Sequence, residues 1–263
     1  MTRISHQEWL RRAFLFAEAA LNQEIITPRR VCMTEDYFRS AFVRGLLSAK
    51  PDLAHLVRSE HTATWSSNSC HFCARTQGRG RPIQHDVAIL PSAYNPGVVC
   101  EVKWAKRPSA EGIARDIWKL LITRGDEPER QAWRCYLLIG GEQPAFSDTL
   151  NQLRTSGINL RYSSAGRGET RTNVQVNLVT FLGSNLGKKS LAALTGWGAR
   201  KRHYRAVSEV RSDIIITRRC EPWIQRVEGA KWRAVLYELH SHGTSGSPML
   251  TAHDLYETLS SSC

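Results

Sequence analysis

The sequence predicts an α/β fold, and three observations carry that prediction. Two segments near the N-terminus place apolar residues at helical spacing, two short apolar runs flank a turn-rich stretch, and a further helix and a further apolar run follow. The resulting order across the first 140 residues is helix, helix, strand, strand, helix, strand.

From Ser5 to about Leu21, Trp9, Leu10, Ala13, Phe14, Ala17, Ala20 and Leu21 recur at a spacing near 3.6, the mark of an amphipathic helix, which Pro28 and Arg29-Arg30 end. Thr34 is a suitable N-cap for a second helix with Tyr37, Phe38, Ala41, Phe42 and Leu46 on one side, closed by Pro51. Glu35 falls at the edge of that apolar face. Residues 66–82, rich in Ser, Asn, Gly and Arg, form a connection.

Val87-Ala88-Ile89-Leu90 is a short apolar run stopped by Pro91, and the turn residues Ser92–Gly97 lead into Val98-Val99-Cys100-Glu101-Val102-Lys103-Trp104, so the two runs predict a hairpin. A helix over about Glu111–Thr123 presents Ile113, Ile117, Leu120 and Leu121 on one face. Tyr136–Ile139 predicts a buried strand ended by Gly140-Gly141. After residue 150 the pattern weakens: Val174, Val176 and Leu178 alternate as a strand, Lys188–Leu194 predicts a short helix, Asp213–Thr217 and Lys231–Leu239 predict strands, and a last short helix begins near Thr251.

The 263 residues suffice for one large domain or two small ones. With 41% hydrophobic and 23% charged residues, the composition excludes a disordered or collagen-like chain. Apolar stretches are too short to span a bilayer. Seven scattered cysteines with no secretory signal ahead of them predict a reducing, cytoplasmic setting rather than a disulfide framework. The net charge of +12 favours a polyanionic partner, most readily nucleic acid, and Arg outnumbers Lys 28 to 8, which suits bidentate phosphate contact or reflects a G- and C-rich genome. Residues 1–150 hold 20 basic and 16 acidic side chains, whereas 151–263 hold 16 and 8. The second part is therefore either a small separate nucleic-acid-binding unit or an elaboration of the same sheet.

Asp86 is followed fifteen residues later by Glu101-Val102-Lys103. Alternation along a strand puts Glu101 and Lys103 on one face and Cys100, Val102 and Trp104 on the other, and pairing in a hairpin places Asp86 beside Glu101. Two carboxylates and an ammonium then converge. Hard carboxylate oxygens hold Mg2+; the ion polarises a phosphoryl oxygen and acidifies water, and the ammonium stabilises developing negative charge.

With Pro82-Ile83-Gln84-His85-Asp86 and then Glu101-Val102-Lys103, the chain resembles the PD-(D/E)XK nuclease superfamily over roughly residues 34–140, with Pro82 four residues before Asp86 instead of adjacent. The resemblance implies a restriction-endonuclease-like αβββαβ core, with a mixed central sheet flanked by helices, if one more strand lies between Leu56 and Trp65. It also implies that Asp86 and Glu101 bind Mg2+, with Mn2+ as a substitute, that Lys103 is the catalytic lysine, and that Glu35, or alternatively Glu60, is the additional carboxylate. Its implied activity is metal-dependent DNA cleavage, with RNA as the other substrate, in restriction, anti-phage defence or DNA repair. Double-strand cleavage would favour a homodimer, and a protein partner could direct targeting.

Other signals compete. Cys70-His71-Phe72-Cys73 is half of a zinc site, to which His61 or His85 could add ligands, and it supports a zinc-stabilised interaction protein. The segment Phe181–Ser190 lacks the glycine spacing of a nucleotide-binding loop and reads as a turn with solvated lysines. Arg200-Lys201-Arg202-His203-Tyr204-Arg205 is the densest basic run, making Arg200, Lys201, Arg202 and Arg205 candidates for backbone contact with nucleic acid. Asp116, Asp126, Glu127 and Glu129 read as surface charge. An inactive nucleic-acid-binding module is the alternative to a nuclease.

Overall fold

Alternation along the predicted hairpin divides its side chains between two helical layers. A computed structural model describes residues 6–26, 34–62, 84–92, 96–105, 107–125, 134–158, 160, 173–195, 210–211, 213–220, 223–227, 230–241 and 249–250. In chain order the elements are α1 (His6–Ile26), α2 (Glu35–Ala49), a 3-10 turn (Pro51–Leu56), β1 (Val57–Thr62), β2 (Gln84–Ile89), β3 (Val98–Ala105), α3 (Ala110–Gly125), β4 (Arg134–Glu142) and α4 (Gln143–Thr155). There follow β5 (Asn173–Asn177), α5 (Leu178–Gly183), α6 (Asn185–Thr195), β6 (Val210–Arg211), β7 (Asp213–Cys220), β8 (Trp223–Val227), β9 (Ala230–Ser241) and β10 (Met249–Leu250). Among the described residues, no helix is long and apolar enough to cross a membrane.

One mixed sheet runs in the order β1-β2-β3-β4-β9-β7-β5, with β8 also on β9. Strands β3 and β4 are parallel, with α3 between them in sequence, and the other pairs are antiparallel. Strands from both parts of the chain therefore share the sheet, and residue 150 lies inside α4. On one face, Val87, Cys100, Val102, Trp104, Tyr136 and Leu138 pack with α1 and α2. On the other, Ala88, Val99, Cys135, Leu137 and Ile139 pack with α3 and α4. The odd and even positions of β3 and β4 thus feed separate cores, as a period of two requires.

The α1–α2 layer is tightly joined. A side chain at Gly45 would meet the Ala13 carbonyl oxygen at 2.7 Å, and the Trp9 indole N–H donates to the Leu46 carbonyl at 2.6 Å. Thr34 is the N-cap of α2, its hydroxyl accepting from the Tyr37 amide at 3.2 Å, so the first helical residue is Glu35.

Several expectations change. Gly140-Gly141 does not end β4: both stay in the ladder, opposite Trp104 and Ala105 of β3, because a side chain at Gly141 would collide with the Ala105 carbonyl and Pro108. Leu178 begins α5 instead of ending a strand, and α4 was not anticipated. The segment 181–190 is largely helical, not a turn, and Gly187 is there because a Cβ would strike the Phe181 carbonyl. Asp116 is a core-facing residue, only 1% exposed, and not surface charge. Asp126, Glu127, Glu129, the Cys70/Cys73 pair, the basic run 200–205 and the helix expected near Thr251 lie outside the described residues.

Candidate functional site

The site forms where one ladder stops. Strand β3 pairs with β4 over its whole length, from Val98↔Arg134 to Ala105↔Gly141, but with β2 over only three pairs, ending at Val87↔Cys100. Beyond that point the β3 amides facing β2 lack strand partners, and buried amides need acceptors. Carboxylates supply them. Asp86 Oδ2 accepts from the Val102 amide at 2.7 Å, and Glu35 Oε2, from the start of α2, accepts from the Trp104 amide at 3.4 Å.

Glu101 and Lys103 point to the α3 face, as alternation predicts, and there they meet two α3 residues that the sequence reading did not connect with them. Glu101 is fully buried; its Oε1 lies 2.6 Å from His85 Nδ1 and its Oε2 accepts from Lys119 Nζ at 2.7 Å. Lys119 Nζ also reaches the Gln84 carbonyl at 3.2 Å and Asp116 Oδ1 at 3.4 Å. The Lys103 ammonium lies on Glu35 Oε1 at 3.2 Å and on Asp116 Oδ2 at 3.3 Å. Asp86 Oδ1 is 3.5 Å from Arg39, which also pairs with Asp36 and Glu60.

The expected convergence is thus rearranged. Asp86 bonds to the backbone beside Glu101, and Lys103 spans Glu35 and Asp116 while Lys119 serves Glu101. Of the two additional carboxylates considered, Glu35 is on Lys103, whereas Glu60 is 60% exposed and bound to Arg39, with a left-handed backbone (φ 52°) that costs a non-glycine residue energy. His85, considered for zinc, is buried against Glu101.

Burial and charge set the proton affinities. Burial, then the Asp116 and Asp86 carboxylates, push Glu101 well above the usual carboxylate range against the pull of Lys119. Burial likewise raises Asp116, opposed by Lys119 and Lys103. Burial would lower Lys103, but Asp116, Glu35 and Asp86 outweigh it and raise its affinity; Glu101 and Asp116 do the same for Lys119. Burial and the Lys119 charge drive His85 down to about 3, so its ring is neutral at pH 7 and can donate through Nδ1 to Glu101.

Asp116 and Lys119 had a readable signal. Ile113, Asp116, Ile117 and Leu120 follow a 3, 1, 3 spacing, which places Asp116 inside the buried stripe of α3 and Lys119 at its flank.

Among the described residues, no three His, Cys, Asp or Glu side chains converge closely enough to hold a metal ion; the Lys103 and Lys119 ammonium groups stand between the acids. Carboxylate oxygens are the hard donors a divalent cation takes, and Glu35, Asp86, Glu101 and Asp116 supply them here, each already held by Lys103, Lys119, Arg39 or a backbone amide. Beside Glu35 and Lys103 opens a cleft of about 410 Å³, which Arg107 and Arg115 also line. No protein-family model, curated protein or solved structure matches the chain.

Proposed function

We propose that the protein is a metal-dependent nuclease of the PD-(D/E)XK kind that hydrolyses DNA phosphodiester bonds. The observation that carries this reading is the fork between β2 and β3, where Asp86 and the buried Glu101 sit next to Lys103 and Glu35, the two residues of the group that line an open cleft. Supporting it, the order α2, β1, β2, β3, α3, β4 is the αβββαβ succession of that superfamily, including the strand needed between Leu56 and Trp65.

Asp86 and Glu101 would hold Mg2+, with Glu35 as the additional carboxylate, and the ion would supply Lewis acidity at the phosphoryl oxygen. Lys103, its proton affinity raised by three carboxylates, stays an ammonium at neutral pH. It therefore acts as a fixed positive charge that orients water or steadies negative charge on phosphorus oxygens, and not as a base. Glu35 holds that ammonium toward the cleft. Arg107 and Arg115 add positive charge on the cleft wall, and the overall +12 attracts a phosphate backbone.

The test is incubation of wild type and Lys103→Ala with supercoiled, linear and single-stranded DNA and with RNA, with and without Mg2+. Mg2+-dependent cleavage lost in Lys103→Ala supports the reading; full cleavage by Asp86→Ala/Glu101→Ala sinks it. A second reading, an inactive nucleic-acid-binding module, is favoured by the engagement of both Glu101 oxygens, by His85 and by Lys119. Salt-dependent DNA binding with no nicking in Mg2+ or Mn2+ would establish it.

A further inference from the structure

A partly buried ammonium already fills the place of a counter-ion to Glu101. Lys119 Nζ is held at 2.7 Å by Glu101 Oε2, at 3.2 Å by the Gln84 carbonyl and at 3.4 Å by Asp116 Oδ1, and its side chain is 17% exposed. Glu101 Oε1 lies 2.6 Å from His85 Nδ1 in a contact whose two side chains are fully buried, whereas Oε2 is held by Lys119, whose side chain is 17% exposed. The Lys119 side is the more open of the two, so a cation reaching Glu101 meets Oε2, the oxygen Lys119 occupies. Asp116 lies one helical turn from Lys119 on α3 and already contacts its ammonium through Oδ1 at 3.4 Å, while Oδ2 faces the Lys103 ammonium at 3.3 Å, so Oδ1 is the oxygen onto which a displaced Lys119 would move.

We propose that Lys119 is the resident counter-cation of Glu101 in the metal-free protein, and that a divalent cation taken up by Asp86 and Glu101 displaces its ammonium from Glu101 onto Asp116. Lys119 is on this account a positioning residue: it holds Glu101 Oε2 in line until the cation arrives, and it sets how tightly the cation is held. The inference rests on the assignment of Asp86 and Glu101 as cation ligands, but not on cleavage itself.

Competition gives an effect of unusual sign. Removing a residue that merely supports the fold weakens ligand binding, whereas removing a competitor strengthens it. Mn2+ affinity measured by calorimetry is expected to rise roughly tenfold or more in Lys119→Met, since a unit charge next to Glu101 is gone. The variant should melt below wild type without metal and recover with Mn2+. Lys119→Arg should return the affinity toward wild type. Equal or weaker Mn2+ binding by folded Lys119→Met, or no Mn2+ binding by either protein, overturns the proposal, as does unchanged Mn2+ binding by Glu101→Gln. Wild-type protein carrying 15Nζ-labelled lysine provides a readout that needs no stable variant: adding Mg2+ should shift the Lys119 ammonium signal, and an unmoved signal at saturating Mg2+ overturns the proposal. Plasmid cleavage by wild type is scored separately. Cleavage with no gain of affinity in Lys119→Met rejects the displacement and leaves the nuclease reading standing; the gain without cleavage does the reverse.

Discussion

Strand β4 and the β2–β3 fork are neighbours in one sheet and differ in every respect that matters to function. Along β4 the ladder is closed on both sides, from Val98↔Arg134 to Ala105↔Gly141 with β3 and from Cys135↔Leu239 to Glu142↔Trp232 with β9, and Cys135 to Ile139 are fully buried, apolar or aromatic. At the fork the ladder to β2 ends at Val87↔Cys100, and within a few residues Asp86, Glu101 and Lys103 enter. Two carboxylates of the fork, Asp86 and Glu35, accept from the Val102 and Trp104 amides that have no strand opposite them, which recovers part of their desolvation cost, whereas the buried Glu238 of β9 sits inside the closed ladder opposite Tyr136.

The strongest way to break the comparison is to remove the charges at the fork. Asp86→Ala/Glu101→Ala is expected to lower DNA cleavage about 10^4-fold, close to 5 kcal/mol of barrier, while far-UV circular dichroism stays like wild type; a well-folded variant with full activity would place the chemistry elsewhere. The apolar core should respond through stability instead. Trp118→Ala in α3, which empties a buried site stacked on Phe181 and hydrogen-bonded to the Gly187 carbonyl, should cost about 3–5 kcal/mol in urea unfolding. A smaller effect belongs to Arg39→Ala, which leaves Asp36, Glu60 and Asp86 without their shared cation and should cost about 1–2 kcal/mol, read as a shift of the urea midpoint that shrinks in high salt. Least of all, Thr34→Ala removes the cap of α2 for about 1 kcal/mol; because Glu35 is the next residue, DNA cleavage should fall more than the stability change explains.

The elements that depend on near neighbours were legible. Alternation marked Val98–Trp104 as a strand and put Glu101 and Lys103 on one face, and Thr34 announced the start of α2. Helix α4 was not anticipated although Phe146, Thr149, Leu150 and Leu153 have helical spacing; Pro144 occupies its first turn, where the missing N–H costs nothing. Gly140-Gly141 was misread as a stop because the pressure for glycine comes from Ala105 and Pro108, which lie far off in sequence. Asp116 and Lys119 look like an ordinary i,i+3 surface pair, and only the docking of α3 over β3 turns them into partners of Lys103 and Glu101.

By itself, then, the sequence determined the class of fold, the hairpin, the face of Glu101 and Lys103, and the positive charge that a phosphate backbone would feel. These follow from periodicity and composition, which are local or additive properties of a chain. Which cation neutralises which carboxylate was decided only in the tertiary structure. An ion pair depends on distance and burial, and those exist only after α2 and α3 have packed on opposite faces of β3, bringing Glu35 to Lys103 and Lys119 to Glu101.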